Sequence, residues 1–207
     1  MKYTIFGATG KTGIELVKQA LEQGHAVTAF VRDPARLAIE DENLTFVTGD
    51  VFDAISVDRA LEGQDAAICA LGAGSDLKKT TIRTSGTINI ISGMQKHKVK
   101  RLIVVTAMGT GDSWNRLSLV NKFFYATLLK SSREDHESQE TAVKESGLDW
   151  TIIRPSGLTD APRTGIYEFG ENIPADTSRI SRADIADLIL KELNQNALIS
   201  KAVTITN

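Results

Sequence analysis

Gly7-Ala8-Thr9-Gly10-Lys11-Thr12-Gly13 follows the apolar run Tyr3-Thr4-Ile5-Phe6 and opens onto Ile14, Leu16, Val17, Ala20 and Leu21 at helical spacing. A short apolar strand, a glycine-rich turn and an amphipathic helix in that order begin a β-α-β unit. Gly7 permits a tight turn, Gly10 lets the backbone approach a diphosphate, and Gly13 lets the helix pack closely on the strand. The free amides of the first helical turn then face the phosphates, and Thr9 and Thr12 add hydroxyl donors. The spacing is G-x-x-G-x-x-G and not the G-x-x-x-x-G-K-S/T of an NTPase phosphate loop, so Lys11 is not that loop's lysine. The turn is read as a dinucleotide site made by Gly7, Thr9, Gly10, Lys11, Thr12 and Gly13, against the alternative of a merely structural turn.

Outward from that turn the same pattern repeats. Short apolar runs predict strands at 2–6, 26–31, 44–48, 65–70, 101–105 and 149–153, with a closing strand at 202–206. Helical periods predict helices at 12–23, 54–61, 79–97 and 116–146, the last broken near Lys130-Ser131-Ser132-Arg133. Ser181-Arg182-Ala183-Asp184, with a capping hydroxyl and an acid three positions on, starts a final helix through Ile185, Leu188, Ile189 and Leu193. Strand and helix in alternation give an α/β fold, a doubly wound parallel sheet covered on both faces, in one domain spanning 1–207. Between 155 and 180, Pro155, Gly157, Pro162, Gly165, Gly170 and Pro174 predict an irregular segment without regular elements. It follows a strand end, where ligands of open α/β sheets lie, and is expected to wall a pocket.

The 207 residues are 42% apolar and 24% charged, enough for a sizeable core, which excludes a disordered or collagen-like chain. With 24 basic and 26 acidic side chains the net charge is −2, so no global field favours nucleic acid or an anionic membrane. Cys69, the single cysteine, lies in the apolar run Ala66-Ala67-Ile68-Cys69-Ala70-Leu71 and reads as a small buried hydrophobe. That excludes a disulfide scaffold and fits a reducing compartment. Met1 and Lys2 lead straight into a strand, and no apolar run reaches about 18 residues. The expectation is a cytoplasmic protein with neither a membrane nor a metal as partner.

The second strand ends in Val31-Arg32-Asp33-Pro34-Ala35-Arg36. Arginine there pairs with a ribose 2′-phosphate, whereas a carboxylate accepts from the 2′-hydroxyl. Arg32 and Arg36 thus point to NADP over NAD. Asp33, 20 residues past Gly13, stands near the place of a ribose acid, and its alternative role is to cap the turn at Pro34. Two more strand ends, Thr48-Gly49-Asp50-Val51 and Ala70-Leu71-Gly72-Ala73-Gly74, fit the adenine and ribose side of the same ligand, though turn chemistry alone also explains both.

These residues, with Gly63-Gln64-Asp65-Ala66, Glu145-Ser146-Gly147-Leu148, Thr164-Gly165-Ile166-Tyr167 and Ile180-Ser181-Arg182-Ala183-Asp184, resemble the atypical short-chain dehydrogenase/reductases, specifically the NAD(P)H-flavin reductase and biliverdin-IXβ reductase group. The resemblance spans essentially the whole chain. It implies a Rossmann-type monomer that binds NADP(H) and passes hydride to an aromatic acceptor, with flavin a substrate and not a prosthetic group. The cofactor positions it implies are Gly7, Thr9, Gly10, Thr12, Arg32, Arg36, Asp50, Val51, Leu71 and Gly72, joined by Ala107 and Pro155 at the next strand ends.

The chain also departs from that family. Ala107 stands where the family has a serine, leaving Thr106 as the nearby hydroxyl, and Gly157 stands where some members have a histidine. His136 aligns with a family histidine near the nicotinamide, so His136 and Thr106 are the catalytic candidates. The other reading of His136, among Glu134, Asp135 and Glu137, is a solvated helix face. Tyr125 and Lys130 are one position too far apart for a Tyr-x-x-x-Lys pair, which points their side chains about 100° off that register. Met108, Trp114, Phe123 or Phe124, Tyr125, Gly157 and Tyr167 are the candidate walls of the acceptor site, each equally readable as core. Ketone reduction needs a positioned proton donor, whereas a flavin delocalises the incoming charge. The expected reaction is NADPH-dependent reduction of FMN, riboflavin or a similar aromatic acceptor such as biliverdin or a quinone. The alternatives are a protein that senses NADP(H) without turnover and a carbonyl reductase or epimerase.

Overall fold

Apolar residues at consecutive strand positions can be buried only where both faces of a sheet are covered. The computed structural model describes residues 1–72, 81–117, 130–173 and 179–207. Its strands are β1 (Lys2–Phe6), β2 (Ala26–Val31), β3 (Leu44–Thr48), β4 (Ala66–Cys69), β5 (Arg101–Val105), β6 (Asp149–Pro155), β7 (Gly157–Thr159), β8 (Glu168–Gly170), β9 (Arg179–Ser181) and β10 (Lys201–Thr206). The helices among the described residues are α1 (Lys11–Glu22), α2 (Ala54–Leu61), α3 (Ile82–His97), α4 (Lys130–Lys144) and α5 (Arg182–Gln195).

The main sheet runs β3-β2-β1-β4-β5-β6-β10-β8. All neighbours are parallel except β8, which pairs antiparallel with β10 through Ile205 and Phe169. Side chains alternate between the two faces. Tyr3, Ile5, Ile68, Ile103 and Ile153 pack with Leu16, Val17 and Ala20 of α1 and Ile185, Leu188 and Ile189 of α5. Phe6, Cys69, Leu102, Val104 and Ile152 pack with Val57 and Leu61 of α2, Ile90 and Met94 of α3 and Val143 of α4. Cys69 is fully buried, as expected of a small hydrophobe.

The Rossmann-type doubly wound sheet matches the sequence expectation, and β1, β2, β3, β5 and α2 have the predicted bounds. The segment 155–180 does not: its described residues hold three short strands. β8 extends the main sheet, while β7 and β9 form a parallel pair, Leu158 opposite Ile180. Strands of three residues leave no legible period, and each exists only because a distant partner supplies its hydrogen bonds. Of the helix expected at 116–146, the described part is α4 (Lys130–Lys144), residues 118–129 lie outside the described residues, and Gly111–Arg116 form a 3-10 turn.

One cap reaches across the fold. Thr81, at the N-cap of α3, makes no side-chain cap bond. Instead Asp135 of α4 accepts from the amides of Arg83 (3.3 Å) and Thr84 (3.0 Å), from the Thr84 hydroxyl (2.7 Å) and from the Arg83 guanidinium (3.3 Å). A carboxylate at a helix N-terminus meets both unpaired amides and the positive end of the helix dipole. It ties α4, and His136 beside it, to α3.

Candidate active site

The glycine turn is built by close approach. Gly7 has φ +85°, and a Cβ there would strike the carbonyl of Ala70 at the end of β4. A Cβ on Gly13 would strike the carbonyl of Gly7 and come within 2.8 Å of Ala8 Cα. Gly10 donates its amide to Gly7 O at 2.9 Å and then serves as N-cap of α1 without a side-chain bond. The first turn of α1 carries no acidic residue, so its amides and dipole stay open to an anion. This end of α1 lies where the strand order reverses between β1 and β4, the switch point at which α/β sheets hold ligands. The residues present therefore fit a dinucleotide diphosphate.

Around that turn the other strand ends fall into place. Asp33 accepts from the amide of Ala35 at 3.1 Å and caps the 3-10 turn Pro34–Arg36. Its carboxylate is thereby engaged locally, while Arg32 and Arg36 stand exposed beside it. Asp50 accepts from the amide of Phe52 at 3.0 Å, and the carbonyl of Val51 accepts from Asn89 at 2.8 Å. Val51 and Leu71 are buried against Gly86, where a Cβ would come within 2.7 Å of Leu71. Gly72 faces open space. Lys11 departs from its expected role: its Nζ lies 2.5 Å from Asp160, which also pairs with Arg182. Its charge is thus held by the segment after β7, not by the glycine turn.

Beyond the carboxyl ends of β5 and β6 lies a cavity of about 300 Å³. Thr106, Ala107 and Met108 line one side, Pro155, Ser156 and Gly157 another, and Arg133 and His136 of α4 a third. Six of the residues singled out in the sequence, scattered from Thr106 to Gly157, thus meet in one place. His136 is 7% exposed, so the solvated-face reading fails. Burial, with the Arg83 charge second, pushes its pKa down to about 4, and the imidazole is neutral at neutral pH.

Three expectations need correction or fall elsewhere. Trp114 does not line the cavity; it packs on Met108 and Leu117 and stacks under the Arg133 guanidinium, 4.2 Å from the ring centre. Tyr167 lies against α5, its hydroxyl donating to Asp187 at 2.7 Å with Lys191 over its ring, because β8 docks there. Tyr125, Phe123 and Phe124 lie outside the described residues.

Under the cavity sits an ionic network the sequence reading missed. Arg154, fully buried at the end of β6, donates to Glu140 of α4 twice, through Nε at 2.9 Å and Nη2 at 2.6 Å, and to Asp112 through Nη1 at 2.8 Å. Burial opposes the charge on Glu140, but the Arg154 guanidinium outweighs it and holds this carboxyl below the usual range. Thr106 Oγ1 donates to Glu140 at 3.0 Å. Its proton is therefore spent on a carboxylate, and Thr106 is not the proton donor its place in the sequence suggested. A signal was there. His136, Gln139, Glu140 and Val143 are buried at i, i+3, i+4, i+7, the spacing of a core-facing stripe written mostly in polar residues.

Asp184 explains why two of the quoted motifs occur together. It accepts from the amides of Thr164 and Gly165, each at 2.8 Å, and from the Ser181 hydroxyl at 2.8 Å. Burial works against its charge, yet these donors hold the carboxyl below its ordinary value. The loop before β8 is thereby pinned to the start of α5.

The family described as NAD(P)H-binding matches residues 7–196. The chain is 30% identical over 99% of its length to an uncharacterized chloroplastic protein of Arabidopsis thaliana, covering 76% of that protein. It is 26% identical to ChuY, an anaerobilin reductase from Escherichia coli, with a TM-score of 0.83 over 100% of this chain and 97% of that one. A short-chain dehydrogenase/reductase from Veillonella parvula, solved in complex with NADP, shares the fold at a TM-score of 0.85 and 18% identity, covering 100% and 94% of the two chains.

Proposed function

The chain belongs to the NAD(P)H-binding family, and from that premise we propose that it is an NADPH-dependent reductase of planar aromatic acceptors, a flavin or a linear tetrapyrrole. The observation that carries this reading is the lining of the cavity at the ends of β5 and β6. Its two catalytic candidates, Thr106 and His136, have their protons engaged by Glu140 and Gln139. An alkoxide formed from a ketone would take no proton from either of them, whereas a conjugated ring spreads incoming charge over its own atoms. The solved tetrapyrrole reductase with this fold adds support.

When bound, the nicotinamide supplies the hydride. The chain's own residues hold and orient. The open amides of α1 take the diphosphate, and Val51 and Leu71 support the adenine end. Arg32 and Arg36 give the preference for the 2′-phosphate. Ala107 and Pro155 hold the cofactor and Met108 walls the acceptor beside it, bringing the reacting atoms together and excluding water. The protein acts as a monomer on a small molecule, with no nucleic acid and no membrane as partner. Among the described residues no helix is long and apolar enough to cross a membrane.

Steady-state oxidation of NADPH with FMN, riboflavin and biliverdin tests the reading, with saturable turnover expected for at least one. The absence of any acceptor-dependent rate would sink it. Tight NADP binding without turnover would assign the chain to nucleotide sensing instead.

A further inference from the structure

His136 is held by a buried relay. Its Nδ1 lies 3.2 Å from Gln139 Oε1. The amide nitrogen of Gln139 is occupied on its far side, donating to Thr87 Oγ1 at 2.9 Å and to Cys69 Sγ at 3.7 Å. Thr87, Cys69 and Gln139 are all fully buried. In this orientation the amide meets the imidazole with its oxygen, and an amide oxygen only accepts. Nδ1 must carry the proton, which leaves Nε2 of this neutral ring as a bare lone pair in a residue that lines the cavity.

Thr106 ends in the same state. Its proton goes to Glu140, whose carboxylate can only accept, so the hydroxyl oxygen has only lone pairs to offer the cavity. Ser156 is the opposite case. Its Oγ accepts from Thr206 Oγ1 at 3.1 Å, and its own proton remains to be donated. Arg133 adds further donors on the same lining. Among the charged groups around the imidazole, Arg83, Asp135 and Glu140 belong to the ion pairs already described. The cavity thus sets acceptors next to a donor.

We propose that this cavity selects its acceptor by an edge on which an N–H adjoins a carbonyl, a cyclic imide or lactam, with His136 Nε2 taking the N–H and Gln139 as the positioning residue that fixes the tautomer. The proposal rests on the reductase reading and sharpens its substrate class. The pyrimidine ring of a flavin and the terminal lactam of a linear tetrapyrrole carry such an edge. A quinone, with carbonyl oxygens alone, leaves the His136 lone pair unmatched.

Two measurements test it. In protein labelled with ¹⁵N-histidine, long-range ¹H–¹⁵N correlation of His136 should show a neutral ring protonated at Nδ1, and Gln139→Leu should abolish that preference. A ring protonated at Nε2 in the wild-type protein would overturn the proposal. No acceptor is involved, so this arm fails separately from the reductase reading. In the second arm, lumiflavin and 3-methyllumiflavin are titrated onto wild-type protein saturated with NADP, followed by flavin fluorescence. The methyl group removes the N–H and should weaken binding about tenfold. Equal affinities would overturn the proposal without any variant having to fold, and His136→Phe should bring the two affinities together.

Discussion

The two halves of this sheet are built by different means. From β1 to β4 the strand ends offer backbone: a glycine turn, open helix amides and exposed arginines, with Asp33 and Asp50 folded back onto their own turns. From β5 to β10 they offer side chains locked in buried networks, Arg154 with Glu140 and His136 with Gln139. The first arrangement is local in sequence, because a turn and the helix after it form one site. The second is assembled across the fold, by a strand end, a 3-10 turn and a helix that approach only after folding.

That contrast can be broken most severely at Arg154. Arg154→Met leaves Glu140 buried without its partner and should cost about 3–5 kcal/mol in urea unfolding. Adding Glu140→Gln should recover much of the loss. Nucleotide affinity of the folded variant should stay unchanged, and a parallel fall in affinity would show that the halves are not independent. Conversely, Gly13→Ala forces a methyl group against the Gly7 carbonyl. It should weaken NADP binding by about a hundredfold or more, some 2.7 kcal/mol by calorimetry.

Arg32→Ala sharpens the nucleotide side. It should raise the NADP dissociation constant by about 10- to 100-fold and leave that of NAD alone. Equal effects would mean that Arg32 does not read the 2′-phosphate.

On the acceptor side the corresponding handle is pH. The folded protein keeps His136 neutral down to about 4, whereas the unfolded chain takes up a proton near 6.5. The stability this residue protects is complete above about pH 6.5. It falls as pH drops toward 4, by up to about 1.4 kcal/mol per unit. Glu140, depressed instead, adds its own loss only below the usual carboxylate value. His136→Phe should flatten the upper part of the acid limb in thermal melts, and an unchanged limb would place the proton uptake elsewhere. Smallest of all, Asp33→Ala removes the cap on the turn after β2 and should cost about 1 kcal/mol. The NADP preference should survive, since Asp33 serves the turn.

Legibility followed the same division. The bounds of β1, β2 and β3 could be read because each run is ended by Gly or a polar pair, and those of β5 because its apolar run lies between Arg101 and Thr106. The close approaches at Gly7 and Gly13 were readable too, whereas the pairing of Lys11 with Asp160 was not. His136 was found, but its burial was not, since acidic neighbours in the chain suggested water where the fold put Arg83 and Gln139. Tyr167 looked like a pocket wall until β8 paired with β10 and turned it onto α5. Arg154 sat unnoticed inside an apolar strand, although a charge in such a run has to find a buried partner.

By itself, then, the order of apolar runs, turns and helical periods pointed to the parallel sheet and the glycine turn, because period and turn chemistry are written in residues close in the chain even where the strands they specify pair across some 60 positions, as Tyr3 does with Ala66. Tertiary structure alone decided which protons the cavity at the ends of β5 and β6 can give or take. A hydroxyl or an imidazole has no fixed role until its partner is known, and here each partner arrives from 3 to 50 residues away.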